Sequence, residues 1–228
     1  MNIHARDFPV AASGRPTLAD TVALMKWLHE SQEDPSGYPY YFHPLRATSN
    51  LLRLWPDAPE DVVFAMLFHD TIEDCKTRIA PHLDPKTTPK ELYAPFFLER
   101  GYSQDCVDII LLLTKDEDDI RPYQEKILAL IESNNRGAIV GKLADNLDNR
   151  HPERVADLAE KDPKRAARLA RKYDRSLPLL TISACIPNET VMDILNNPEP
   201  LPIRHVASSG QVAFTHSGQI RGFDFPIV

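Results

Sequence analysis

The chain has 228 residues, 26 of them Lys or Arg and 33 Asp or Glu, so its formal net charge at pH 7 is −7. This balance lacks the broad positive footprint that binding to a nucleic-acid backbone requires, and we expect no nucleic-acid partner. With 43% apolar and 26% charged residues, the composition is typical of a folded domain and not of a disordered chain. The 20 prolines against 8 glycines favour helices with rigid connections over hairpin-rich β structure.

Membrane insertion and export are not indicated. No apolar stretch approaches the roughly 18 residues of a membrane-spanning helix, and residues 1–16 lack the apolar centre of a signal peptide. We therefore predict a cytoplasmic protein with no membrane partner. Cys75, Cys106 and Cys185 stand far apart without a C-x-x-C pair, which predicts reduced thiols rather than disulfides or a thiolate zinc site.

Helical periodicity dominates from Thr17 to Cys185. In the first half, we predict helices after the cap Thr17, after Pro44, from Asp57 and Pro59 to His69, over 90–100, and from Ser103 to Leu113. In the second half, we predict helices over 123–133, over 138–149, and from Pro163 toward Cys185, with a kink or an end at Pro178.

The predicted organisation is an N-terminal arm over residues 1–16, an all-α domain over 17–187, and a C-terminal appendage over 188–228. The composition changes after Pro187, where turn residues become frequent. Residues 211–225 alternate apolar and polar side chains around Ser217 and Gly218, a pattern that predicts a small hairpin.

Four residues form a candidate metal-ligand set: His43, the adjacent pair His69 and Asp70, and Asp145. Two imidazoles and two carboxylates suit a divalent ion such as manganese, iron or zinc, and the absence of thiolates favours manganese or iron over structural zinc. Glu73 lies four residues after His69, one turn away if the helix continues. A carboxylate there is placed to orient or deprotonate a water on the metal.

Structural interpretations compete with this one residue by residue. His43 before Pro44 is individually more typical of a buried or capping histidine, and Asp145 of an exposed acid on a helix. Two ionisable residues, His69 and Asp70, at the end of an apolar helix are costly to bury unless they are paired or bind a metal. All four together would require independent coincidences under the structural interpretation.

The ordered strings resemble the HD-domain metal-dependent phosphohydrolases, in particular the hydrolase domain of the RelA/SpoT-type proteins and the small alarmone hydrolases. The resemblance covers roughly residues 17–185. It rests on these strings, in this order: Tyr-Pro-Tyr-Tyr-Phe-His-Pro over 38–44, Ala-Met-Leu-Phe-His-Asp-Thr-Ile-Glu-Asp over 65–74, Leu-Thr-Lys over 113–115, and Lys-Leu-Ala-Asp over 142–145 with Asn149.

The resemblance implies an all-α HD-type hydrolase domain over 17–187. It further implies one manganese ion, with iron or zinc compatible with the same donors, and hydrolysis of the 3′-pyrophosphate of guanosine tetra- or pentaphosphate to GDP or GTP. The ion would be held by His43, His69, Asp70 and Asp145, with Glu73 and Asp74 acting on the attacking water.

Three further residues are candidates for contact with a nucleotide substrate. Asn149 shares a helical face with Asp145, four residues away, and the matching asparagine of the family contacts the sugar; capping of the helix end is an equal alternative. Lys115 is a candidate for a phosphate contact, with a solvated lysine as the alternative. Tyr173 is a candidate for stacking on a base, with a core position as the alternative.

One departure keeps the substrate open. The family usually carries basic residues before the His-Pro segment, whereas no Lys or Arg lies between Lys26 and Arg46, and Glu33 and Asp34 stand there instead. A second hypothesis is therefore hydrolysis of another nucleotide, such as an adenine analogue or a monophosphate. A third is a nucleotide-binding regulatory module with little turnover, against which the intact Glu73 and Asp74 argue.

Overall fold

A computed structural model describes residues 14–35, 37–116, 118–206 and 212–215. The helices of the first half are α1 Leu18–Leu28, α2 Phe42–Leu54, α3 Glu60–Leu67, α4 Thr71–Asp74, α5 Lys76–Ile79, a 3-10 turn Lys90–Tyr93, α6 Ala94–Leu98 and α7 Gln104–Leu113. Those of the second half are α8 Tyr123–Glu132, α9 Arg136–Asn149, α10 Pro152–Lys161, α11 Pro163–Ser183 and α12 Asn188–Asn196. The all-α prediction is confirmed.

Local sequence signals explain where several helices begin. Thr17 and Asp20 form a reciprocal capping box at the start of α1. Ser103 accepts a hydrogen bond from the backbone N–H of Cys106 at the start of α7, and Asn135 accepts one from Ala138 at the start of α9. These caps satisfy backbone donors that have no partner within the helix.

The core places α2 and α9 side by side, with α3 against α2 and α7, and α11 against α9. Two glycines of α9 allow the close approach of α7. A Cβ atom on Gly137 would come 2.7 Å from the Cδ1 atom of Ile109, and one on Gly141 would come 3.3 Å from Leu113. Helix α9 also packs against α2, so side chains from distant parts of the sequence meet between these two helices.

Three helix predictions are wrong in detail. Helix α3 ends at Leu67, so His69 lies in the turn before α4 and not at the inner end of a continuous helix. Helix α11 continues through Pro178 to Ser183, so the predicted end at Pro178 is wrong and the alternative of a kink stays a prediction; Pro178 is exposed, where water can bond the carbonyl that loses its N–H partner. Helices α10 and α12 were not predicted: α10 buries no residue, so no apolar stripe marks it.

The C-terminal part begins with α12, which packs on α2 and α9. A hairpin follows, in which β1 (Ile203–Val206) pairs antiparallel with β2 (Val212–Thr215), Ile203 opposite Thr215. Its second strand lies within the predicted 211–225 segment, and its first strand lies upstream of that segment. Residues 216–228, which include Ser217 and Gly218, lie outside the described residues, as do residues 1–13 of the predicted arm. No described helix is long and apolar enough to cross a membrane.

Candidate metal centre and the cleft above it

Two buried histidines meet between α2 and the turn that precedes α4. His43 lies in the first turn of α2 and is 3% exposed, and His69 is 2% exposed. Their Nε2 atoms are 3.2 Å apart. Two imidazole nitrogens at this separation, shielded from solvent, can bind the same ion.

Two carboxylates complete the group of converging donors. The Oδ2 atom of Asp70 lies 3.0 Å from Nε2 of His69 and 3.3 Å from Nε2 of His43. From α9, Oδ1 of Asp145 lies 3.4 Å from Nε2 of His43 and 3.7 Å from Nε2 of His69. His43, His69 and Asp145 form a group that could hold a metal ion by distance alone, and Asp70 lies beside the two histidines of this group. The structure thus brings all four predicted ligands together.

The other ring nitrogen of each histidine has its own partner. Nδ1 of His43 lies 2.7 Å from Oδ2 of Asp148, and Nδ1 of His69 lies 2.8 Å from the carbonyl oxygen of Met66. An acceptor at Nδ1 fixes the proton there and leaves the Nε2 lone pair for a metal. The donor set therefore fits one divalent ion in position, with both Nε2 atoms facing it.

Asp148 is a buried anchor that the sequence analysis did not identify. Nε of Arg46 donates to its Oδ1 atom over 2.8 Å, and Nη1 of Arg154 donates to its Oδ2 atom. Burial alone raises the pKa of Asp148, but the charges of Arg46 and Arg154 outweigh it and hold that pKa well below its usual value. Asp148 is therefore ionised, and its orientation fixes the ring of His43.

The electrostatics of the centre favour bound positive charge. Burial disfavours protonation of His43, but hydrogen bonds with Asp145, Asp148 and Asp70 raise its pKa to about 9. Burial raises the pKa of Asp145, yet Lys142 and the histidines hold it well below the usual value. The negative charge of these carboxylates stabilises the protonated histidines. The same negative charge attracts a divalent cation.

Glu73 and Asp74 are not equivalent. The half-buried Glu73 of α4 lines the cleft beside Asp70, and its Oε1 atom accepts a hydrogen bond from the backbone N–H of Lys115. Burial, followed by the charge of Asp70, raises its pKa. Asp74 is exposed and does not line the cleft; partial desolvation and the charges of Asp70 and Glu73 raise its pKa to about 6. Glu73 is the better-placed proton acceptor.

The three predicted substrate-contact residues all line the same cleft. Asn149 is the last residue of α9, and Arg150, not Asn149, is the C-cap residue. Nδ2 of Asn149 donates to Oδ1 of Asp145 over 2.6 Å. The Tyr173 ring packs edge-to-face on Tyr123, with the ring centroids 6.3 Å apart. The phenol of Tyr40, which was not predicted, donates to Oδ2 of Asp70 over 2.6 Å.

The cleft above the centre has a volume of about 710 Å³, within the range of small-molecule sites. Its basic residues come from parts of the chain far from the His-Pro segment. They are Lys90, Lys115, Arg121, Lys126, Lys142, Arg154, Arg168 and Lys172. The region between Lys26 and Arg46 lacks cations, but the site does not.

Glu33 and Asp34 do not line the cleft. Asp34 is buried, where its Oδ1 atom accepts the backbone N–H of Tyr38 and its Oδ2 atom lies 3.7 Å from Nε of Arg154. It therefore pairs with a cation of the cleft.

A scan of protein-family models gave no match to this chain, and a search of curated proteins gave none either.

Proposed function

We propose that this chain is a metal-dependent phosphohydrolase that removes the 3′-pyrophosphate from guanosine tetra- or pentaphosphate, leaving GDP or GTP. The observation that carries the proposal is the convergence of four N and O donors at the base of a cleft rich in Lys and Arg. The choice of substrate rests on the ordered sequence strings, which resemble those of the alarmone hydrolases.

The roles of the residues follow from their positions. His43, His69, Asp70 and Asp145 hold the divalent ion, most suitably manganese. When bound, such an ion lowers the pKa of water and offsets charge on phosphoryl oxygens. Glu73, at the wall of the cleft next to Asp70, accepts the proton of the attacking water, a task favoured by its raised pKa.

Other residues maintain this arrangement. Asp148 and the carbonyl of Met66 fix the two imidazole rings, and Asn149 and Lys142 hold the carboxylate of Asp145 from both oxygens. Such preorganisation keeps the donor atoms in place before substrate arrives.

The test is incubation of purified, manganese-loaded protein with a panel of nucleotides, with products separated by ion-exchange chromatography. We expect conversion of guanosine tetraphosphate to GDP and pyrophosphate, and no conversion by an Asp145→Asn variant prepared in parallel. Persistence of guanosine tetraphosphate while an adenine analogue or a monophosphate is cleaved would replace this substrate. Persistence of every nucleotide, with metal bound, would favour the regulatory module.

A further inference from the structure

A buried histidine, His151, joins the start of α10 to the C-terminal part of the chain. It is 3% exposed and is the N-cap residue of α10. Its Nδ1 atom accepts a hydrogen bond from the backbone N–H of Glu153 over 3.3 Å, and its Nε2 atom donates to the carbonyl oxygen of Glu199 over 2.9 Å. Only the neutral ring with its proton on Nε2 can make both contacts. Burial lowers the pKa of His151 and so favours that neutral form.

The segment that receives this ring is fixed on α2. The Oγ atom of Ser49 donates to Oε1 of the buried Glu199 over 2.9 Å. Nη1 of Arg53 donates to the carbonyl oxygen of Asn197 over 2.8 Å. Because α2 also carries His43, the carbonyl of Glu199 is held in place relative to a helix of the metal centre.

Helix α10 is otherwise weakly anchored. It buries no residue, and it packs on α11, the helix that follows it. The cap on its first turn therefore matters, because an acceptor at the N-cap satisfies a backbone donor that has no partner within the helix. That first turn carries Arg154, which lines the cleft.

Arg154 connects the first turn of α10 to the metal centre. Its Nη1 atom donates to Oδ2 of Asp148, the oxygen that also lies 2.7 Å from Nδ1 of His43. Arg46 donates to Asp148 from α2 and would keep its carboxylate ionised if Arg154 moved. A shift of α10 would therefore change the orientation of the carboxylate that fixes the His43 ring, and not its charge.

We propose that His151 is a positioning residue for the metal centre. Its cap on α10 fixes Arg154 against Asp148, and Asp148 in turn orients the ring of His43. The segment around Glu199 holds the His151 ring in its capping position, so the C-terminal part of the chain supports the site. The inference rests on the metal centre of the proposed function and not on its substrate.

The test is a double-mutant cycle on metal affinity, measured by titration of manganese into each folded, metal-stripped variant. We expect His151→Ala to weaken manganese binding roughly 10-fold, the lower end of the range for partners of ligating histidines. Arg154→Gln should weaken it at least as much. His151→Ala should then add little in the Arg154→Gln background, because both substitutions act through the same oxygen of Asp148. Full additivity, or no weakening by His151→Ala, would overturn the proposal.

Two further variants distinguish positioning from a general loss of stability. His151→Asn supplies a preferred N-cap acceptor and should recover most of the manganese affinity. Thr17→Ala removes the cap of α1, a helix that does not line the cleft; it should lower the melting temperature and leave manganese affinity unchanged. No recovery in His151→Asn, or equal weakening by Thr17→Ala, would contradict a positioning role.

A measurement on metal-free protein separates this role from the proposed function. The Nδ1 proton of His43 should give a slowly exchanging NMR signal in the parent and in His151→Asn, and it should exchange faster in His151→Ala. Unchanged exchange in His151→Ala would overturn the proposal even if the protein hydrolyses guanosine tetraphosphate. If exchange is faster but no nucleotide is hydrolysed, the positioning role stands and the proposed function falls.

Discussion

The two ends of the cleft manage charge in opposite ways. At the metal centre every buried charge has a partner: Asp145 has Lys142, and Asp148 has Arg46 and Arg154. At the cleft wall that α11 forms, Arg168 and Lys172 have no carboxylate partner among the described residues. The first end presents converging nitrogen and oxygen donors that suit a cation, and the second is a cationic surface that favours an anion. A phosphorylated nucleotide held between metal and wall meets both requirements.

The largest expected effect comes from removing one metal ligand at the first end of the cleft. His69→Ala deletes one of four converging donors. It also removes the imidazole that lies beside the carboxylates of Asp70 and Asp145. We expect loss of the bound metal and of all hydrolysis together, measured by elemental analysis and by product formation. Retention of one metal per chain in this variant would show that His69 is not a ligand.

The next effect separates chemistry from metal binding at the same end. Glu73→Gln should lower kcat by about 10² or more, the scale of losing a positioned acid or base, with metal content unchanged. Asp74→Asn is the matched control, because Asp74 is adjacent but exposed and outside the cleft; it should retain most activity. A reversed ranking of the two variants would assign the proton transfer to Asp74.

A third substitution tests whether pairing behind the ligands matters. Asp148→Asn removes the charge that orients His43, and we expect metal affinity to fall about 10–100-fold, as for other partners of ligating histidines. Asp174→Asn is the control, because it breaks only the exposed pair of Arg150 with Asp174. The measurement is a metal titration of each folded variant; identical affinities for the two would contradict the orienting role.

The smallest expected effect concerns Glu33, an acidic residue that does not line the cleft. Glu33→Lys reverses an exposed charge outside the cleft, so we expect KM for guanosine tetraphosphate to change by less than about 2-fold, the effect of a screened surface charge. Kinetics at physiological ionic strength decide this. A several-fold fall in KM would show instead that Glu33 repels the substrate.

What could be predicted from the sequence depends on whether its signal is local. Helices with an apolar stripe and a polar cap, such as α1 and α7, were predictable because both signals are local. The four metal-ligand candidates were recognisable by residue type and order. Helix α10 lacks a buried face and was missed, and the break after Leu67 was hidden because apolar residues continue to Phe68.

The partners of the ligands could not be predicted, because they depend on packing between distant segments. Asp148 follows the predicted ligand Asp145 by three residues, yet its role depends on Arg46, 102 residues away. Apart from Lys115, the cations of the cleft were missed for the same reason: they come from the 3-10 turn at Lys90, from the segment before α8 and from α8 to α11, not from the stretch beside His43. A basic helix shows its charge in the sequence but not which of its faces lines a cleft.

The central claim, that one divalent ion lies between α2, α9 and the turn before α4, is tested most directly by anomalous diffraction from a manganese-soaked crystal. Data collected on either side of the manganese absorption edge should give a single strong peak among Nε2 of His43, Nε2 of His69 and the carboxylates of Asp70 and Asp145. A crystal with manganese bound elsewhere, or with no peak among these atoms at a saturating concentration, would contradict the account.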